Sequence, residues 1–280
     1  MTAIAFHNGT FLPKTDVRIS PDDRGFLFAD GVYEVVRAYG GRFFELGGHM
    51  ARLKDGLAAL SIEGADLTAL ETTFAELLDR NKLAGADAVV YCQITRGAAP
   101  RAHYFPDPAV SPTVYAEARA FQPKADPAVG ISVVTAPDTR WARCDIKTVG
   151  LLPNVLANQL ARSQGAIEAV FVRDGVALEG SASSFFAVVD GEVRTAPATN
   201  YILPSITRRV ALELCAEAGI PHGERPVFVH DLDRATELFM AGTTLEVMPV
   251  VRVDGRTVGD GRPGPVAREL GARFSARTTA

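Results

Sequence analysis

Lysine is scarce in this chain. Of 29 basic residues only five are lysines, Lys14, Lys54, Lys82, Lys124 and Lys147, and none follows residue 147. Surface positive charge is therefore left almost entirely to arginine, and Lys147, set between Ile146 and Val149, has no role in solubility that an arginine could not fill. Cysteine is scarcer still. Cys92, Cys144 and Cys215 are an odd number at wide, irregular spacing, which excludes a disulfide framework and a zinc pattern and points to reduced thiols. Met1 to His7 has neither a basic opening nor a long apolar run, and no later apolar stretch approaches spanning length. The expectation is a cytoplasmic, unprocessed chain with no membrane partner. Nor is there an excess of positive charge. With 29 basic against 33 acidic residues the net charge is -4, so no field gathers nucleic acid, and a small-molecule substrate is expected instead. Internal repeats and low-complexity tracts are also missing, which removes solenoids and flexible linkers from consideration.

What is present is ordinary globular material: 280 residues, 47% hydrophobic and 22% charged, enough to bury a core in one large or two modest domains. Asn8-Gly9 separates two short apolar runs as a hairpin turn, and Gly40-Gly41 separates the β-branched and aromatic run Val32 to Tyr39 from Arg42-Phe43-Phe44. Met50, Leu53, Leu57 and Leu60, then Leu67, Leu70, Phe74, Leu77 and Leu78, recur at helical spacing. Residues 88–94 and 113–115 read as strands around a polar loop, 96–112. Phe121-Gln122-Pro123-Lys124-Ala125-Asp126-Pro127 reads as an interdomain linker. Beyond it, 131–134, 169–172, 184–189, 191–193 and 238–240 read as strands, and 155–161 and 205–218 as helices. The tail after Leu270 reads as partly disordered. Strands and helices mix without strict βαβ alternation, so the expected class is α+β with two domains: a smaller N-terminal one over 1–120, a linker over 121–127 and a larger one over 128–280.

Four segments carry chemistry. In Arg140-Trp141-Ala142-Arg143-Cys144-Asp145-Ile146-Lys147-Thr148, a lysine expected at a strand end and desolvated by Ile146 and Val149 is the type of amine that forms a Schiff base with an aldehyde. In Leu178-Glu179-Gly180-Ser181-Ala182-Ser183-Ser184, a single carboxylate leaves a strand for a small-residue loop, as a group facing a pyridine nitrogen would. Ile202-Leu203-Pro204-Ser205-Ile206-Thr207-Arg208 opens a helix whose free N–H groups and Thr207 hydroxyl suit a phosphate, and Gly242-Thr243-Thr244 adds hydroxyls. Thr95-Arg96-Gly97-Ala98-Ala99-Pro100-Arg101-Ala102-His103-Tyr104 places a guanidinium and an imidazole two residues apart, a grip for a carboxylate. Taken singly each has a plainer reading: a snorkelling lysine, a solvated turn glutamate, a simple N-cap at Ser205, a surface loop.

Taken jointly and in order, these segments resemble the fold type IV pyridoxal-phosphate-dependent enzymes, and within them the D-amino acid aminotransferases. Asp22-Asp23-Arg24-Gly25 and Asp30-Gly31-Val32-Tyr33-Glu34-Val35-Val36 extend the likeness over nearly the whole chain. The resemblance implies that Lys147 carries pyridoxal 5'-phosphate through a Schiff base and shuttles the proton, that Glu179 pairs with the ring nitrogen, and that Arg52, Ile206, Thr207 and Thr243 hold the phosphate. It implies that Tyr33, Arg101 and His103 trap the carboxylate of a D-amino acid, reaching the site from a partner subunit. A homodimer with the cofactor in an interdomain cleft follows, transferring amino groups from D-alanine or D-glutamate to 2-oxoglutarate or pyruvate, with no metal. Two departures stand out: Ser184 where relatives tend to have Asn, and Pro204-Ser205 where a Gly usually precedes the Ile-Thr pair. Rival readings in the same fold are a branched-chain L-amino acid aminotransferase, which segment 33–39 also resembles, and an aminodeoxychorismate lyase. From other classes come a thiol hydrolase built on Cys144 and a non-catalytic vitamin-binding scaffold.

Overall fold

The computed structural model describes residues 2–279 and divides into two units, 1–122 with Ile146–Gly150, and 123–145 with 151–280. The first break, between Gln122 and Pro123, falls at the two-proline segment. Lys147, expected in the C-terminal domain, instead belongs to the first unit, because Ile146 is buried in that unit's core with Val32, Leu53 and Leu57.

Strand alternation builds the first unit. Its elements are β1 (Ile4–His7), β2 (Thr10–Pro13), α1 (Arg24–Phe28), β3 (Gly31–Tyr39), β4 (Arg42–Phe43), α2 (Leu46–Ala59), α3 (Leu67–Arg80), β5 (Ala88–Thr95) and β6 (Thr113–Ala120). The strands form an antiparallel sheet in the order β2-β1-β6-β5-β3-β4. Along β3, Val32, Val36 and Ala38 enter one core with Met50, Leu53 and Leu57 of α2 and Leu70, Phe74 and Leu77 of α3. Glu34 shares the phase of those apolar residues and is fully buried among them. A carboxylate in that place needs partners, and it has them.

The second unit contains β7 (Ile131–Pro137), α4 (Leu152–Ser163), β8 (Glu168–Arg173), β9 (Val176–Gly180), β10 (Ser184–Val189), β11 (Glu192–Thr195), α5 (Ile206–Glu217), β12 (His222–Glu224), β13 (Val227–Phe228), β14 (Glu237–Gly242), β15 (Glu246–Val253), β16 (Arg256–Thr257) and α6 (Pro265–Thr279). Pairing runs β10-β14-β15-β7-β8-β9 and closes on itself where Glu179 of β9 meets Ser184 of β10. Closure puts the glutamate at the seam. The tail after Leu270, expected to be partly disordered, continues the helix α6 as far as Thr279. Leu270 and Phe274, four residues apart, are buried, and the Val266 and Ala267 N–H groups donate to the Glu237 carboxylate at 3.0 and 2.9 Å. The cap comes from about thirty residues upstream, which is why local spacing does not reveal this helix. Among the described residues no helix is long and apolar enough to cross a membrane.

Candidate active site

In the first unit the candidate lysine lies against β3. Lys147 lies in an irregular segment rather than at the strand end expected: Thr148 bridges Val32, the Tyr33 N–H donates to the Lys147 carbonyl at 3.0 Å, and the Val149 N–H donates to Gly31 at 3.1 Å. The half-buried side chain sets Nζ over the ring of Tyr33, 4.2 Å from its centroid. Next along β3, Glu34 takes Nε and Nη2 of Arg52 at 2.7 and 2.9 Å and Nδ1 of His49 at 2.8 Å. Arg52 and His49 sit three residues apart on α2 and so share a face. Burial would push the Glu34 carboxyl up, but the His49 hydrogen bond and the Arg52 charge outweigh it and hold it at about 2. An anion fixed in this way orients the Arg52 guanidinium and contributes negative potential at Lys147.

In the second unit the seam of the sheet carries the other set. The buried Glu179 carboxylate accepts from the Leu203 N–H at 3.1 and 3.2 Å and is paired with Arg140, which also grips Asp138. Leu203 leads directly into α5, where the Ser205 hydroxyl caps the helix by accepting from the Arg208 N–H at 3.2 Å, and Ile206 and Thr207 occupy the first turn. The loop after Glu179 is clamped from below, Glu168 accepting from the Ala182 N–H and the Ser183 hydroxyl at 2.6 and 3.0 Å. Gly242 permits the Thr243 turn to approach that loop. A Cβ there would sit 3.1 Å from Cβ of Ser183. Above the clamp the Ser181 hydroxyl is buried and lacks a hydrogen-bond partner among the described residues.

These two donor sets can be compared with known proteins. A family model described as amino-transferase class IV matches residues 31–253. The chain belongs to the class IV aminotransferase family. It is 39% identical over 272 residues to a D-alanine aminotransferase of Staphylococcus haemolyticus, covering 96% of each chain. Its fold resembles the Escherichia coli branched-chain amino acid aminotransferase, with a TM-score of 0.90 at 26% identity over 99% of this chain and 94% of that one. A branched-chain amino acid aminotransferase from T.th., solved with pyridoxamine 5'-phosphate, is equally similar, with a TM-score of 0.90 at 26% identity over 100% and 95%. This class IV aminotransferase thus has the α+β fold of the fold type IV enzymes, and members of its family depend on pyridoxal 5'-phosphate.

Arg101 and His103 are exposed on the loop between β5 and β6, where both lie against the ring of Phe28, at 5.2 and 5.7 Å. Tyr33, expected to reach the site from a partner subunit with Arg101 and His103, lies instead against Lys147 of its own chain and against Tyr91, and no hydrogen bond or ion pair joins Tyr33, Arg101 and His103 among the described residues. The sequence reading overlooked Glu34, His49 and Arg140. Glu34 alone left a signal, a charged residue in phase with Val32, Val36 and Ala38. The rival built on Cys144 finds no support: its Sγ is buried, donates to the Trp141 carbonyl at 3.2 Å, and burial pushes the thiol up to about 11. No cluster suited to a metal occurs among the described residues.

Glu34 makes the aminotransferase sensitive to acid. A carboxylate held near 2 instead of its ordinary 4.5 contributes stability that is complete above 4.5 and disappears as pH falls from there towards 2, about 3 kcal/mol in all. Urea titrations of Glu34→Gln should show this part of the acid limb flattened, with a destabilisation at pH 7 of roughly 3–5 kcal/mol from the loss of the buried carboxylate charge that faces Arg52 and His49. An unchanged acid limb would remove Glu34 from this account.

Proposed function

We propose that this class IV aminotransferase transfers the amino group of D-amino acids, D-alanine and D-glutamate among them, to 2-oxo acids such as pyruvate and 2-oxoglutarate. The observation that carries the reading is the nearly full-length likeness to a D-alanine aminotransferase. The branched-chain structures share the fold at lower identity.

The donors in each unit are suited to pyridoxal 5'-phosphate. Lys147 offers an amine next to an aromatic face, Glu179 a buried carboxylate suited to a ring nitrogen, and Arg52 an oriented guanidinium for phosphate. Ile206 and Thr207 in the first turn of α5, with the Thr243 turn, add N–H and hydroxyl donors, and the orphaned Ser181 hydroxyl is a polar atom still wanting a partner. When bound, the cofactor supplies the aldehyde that takes the amino group and the ring that accepts the electrons of the substrate Cα–H bond. Lys147 would take and return the substrate Cα proton at Nζ, and Glu179 would supply the negative charge that favours a protonated ring nitrogen. Tyr33, Arg101 and His103 bind the substrate carboxylate and so select which hydrogen faces Lys147. Arg101 and His103 serve the site of the second subunit in a homodimer, and the enzyme works in the cytoplasm, where its three buried cysteines stay free.

One measurement tests substrate and stereochemistry together. The near-visible absorption of the purified holoenzyme should shift on adding D-alanine and stay unchanged with L-leucine. A shift with L-leucine and none with D-alanine would replace this reading with the branched-chain one.

A further inference from the structure

The loop that carries Arg101 and His103 is held largely by contacts to residues distant in the chain. Its first half is fastened to the segment before β3: the Arg24 N–H donates to Gly97 at 2.9 Å, the Ala99 N–H to Asp22 at 3.1 Å, and the Thr95 hydroxyl to Asp23 at 2.9 Å. Arg96 donates to both oxygens of Asp30 and to the Leu60 and Ser61 carbonyls, so the root of the loop is fixed. Beyond it Arg96 stacks on Phe105, 3.6 Å from the ring centroid, and the hydrogen bond to the backbone between Arg101 and His103 comes from Arg24. Buried Arg24 donates Nε to Asp30 at 2.8 Å and Nη1 to the carbonyl of Ala102 at 2.8 Å, the peptide between Arg101 and His103. One turn further along α1, the Phe28 ring meets the Arg101 guanidinium on one contact and the His103 ring, edge to face, on another. Arg24 also stacks on that ring, 4.9 Å from its centroid. Two residues at i and i+4 of one short helix therefore touch the backbone and both side chains of the pair.

We propose that Arg24 and Phe28 are positioning residues that set the spacing and angle of Arg101 and His103, and through them the affinity for the carboxylate of the amino acid and 2-oxo acid. The inference rests on the reading that Arg101 and His103 bind that carboxylate. The physical ground is that both groups are exposed and make no hydrogen bond or ion pair among the described residues, so without the Arg24 anchor and the Phe28 ring the tip samples many conformations and binding must order it. Asp30 is the counter-charge that makes the anchor tolerable. Burial alone would raise its carboxyl, but Arg96 and Arg24 hold it below the usual carboxylate range, and the bridge Arg24–Asp30–Arg96 stays ionised.

The test is steady-state kinetics of the holoenzyme with D-alanine and 2-oxoglutarate for Arg24→Met, Arg24→Lys, Phe28→Leu and Arg101→Ala, together with calorimetric binding of propionate, which has a carboxylate and no amine to react. Arg24→Met should raise KM for both substrates and the propionate Kd by about tenfold while kcat falls much less. Arg24→Lys, whose ammonium reaches one acceptor and not two, should fall between wild type and Arg24→Met. Phe28→Leu should act in the same direction and decides the matter if Arg24→Met does not fold. A residue that only stabilises the chain would lower the unfolding midpoint and leave KM and the propionate Kd alone. If Arg101→Ala weakens carboxylate binding but Arg24→Met and Phe28→Leu do not, or if they lower kcat only, the positioning role is overturned and the carboxylate-binding reading stands. If Arg101→Ala itself leaves KM unchanged, that reading falls and the inference with it.

Discussion

Lys147→Ala should reduce turnover by at least about 10⁴-fold, because on the proposed mechanism the amine that holds the cofactor and the base that moves the Cα proton vanish together. The backbone has no reason to move. The Lys147 carbonyl keeps the Tyr33 N–H, Thr148 keeps its bridge to Val32, and Ile146 remains in the core. Circular dichroism and unfolding midpoint should therefore match wild type while activity is lost, and added methylamine should restore a small part of the rate. Turnover within a hundredfold of wild type in the absence of amines would exclude Lys147 from proton transfer. The same variant tests assembly. If the chain is a homodimer in which Arg101 serves the opposite subunit's site, then after mixing with Arg101→Ala under conditions that exchange subunits about half the dimers are mixed and each has one intact site, so about a quarter of wild-type sites should reappear. No recovery after proven exchange would mean that lysine and arginine serve one chain's site.

Glu179→Gln should keep the fold and lower kcat by about 10²-fold or more, since an amide cannot present the negative charge that the ring nitrogen requires. The geometry makes this substitution informative. The amide oxygen can still accept from the Leu203 N–H, and Arg140, deprived of one partner, keeps the Asp138 carboxylate and the Tyr201 carbonyl. The loss should therefore appear in kcat without a comparable loss in unfolding midpoint. Wild-type kcat in Glu179→Gln would take the carboxylate out of the mechanism.

Several residues singled out in the sequence share a property: their signal is local. Ser205 before Ile206 and Thr207 announces a helix start, Glu179 before small residues announces a loop leaving a strand, and Lys147 stands out in a chain with few lysines. The residues that sequence reading missed act through partners far away in the chain. Glu34 is 18 residues from Arg52, and Arg140 is 39 from Glu179. No spacing rule links such pairs, because their proximity depends on which strand lies beside which.

For this protein the hairpins around Asn8-Gly9 and Gly40-Gly41, the helices α2, α3 and α5, the α+β class and the order of the family motifs follow from the sequence alone, since turn chemistry and hydrophobic period are properties of short windows. Tertiary structure decided the rest. It assigned Ile146–Gly150 to the first unit by burying Ile146 there, and made a helix of the chain's end through the distant carboxylate of Glu237. It also turned Glu34 from an exception in an apolar strand into the anion that orients Arg52, because a buried charge persists only where the fold brings its counter-charges within hydrogen-bond reach.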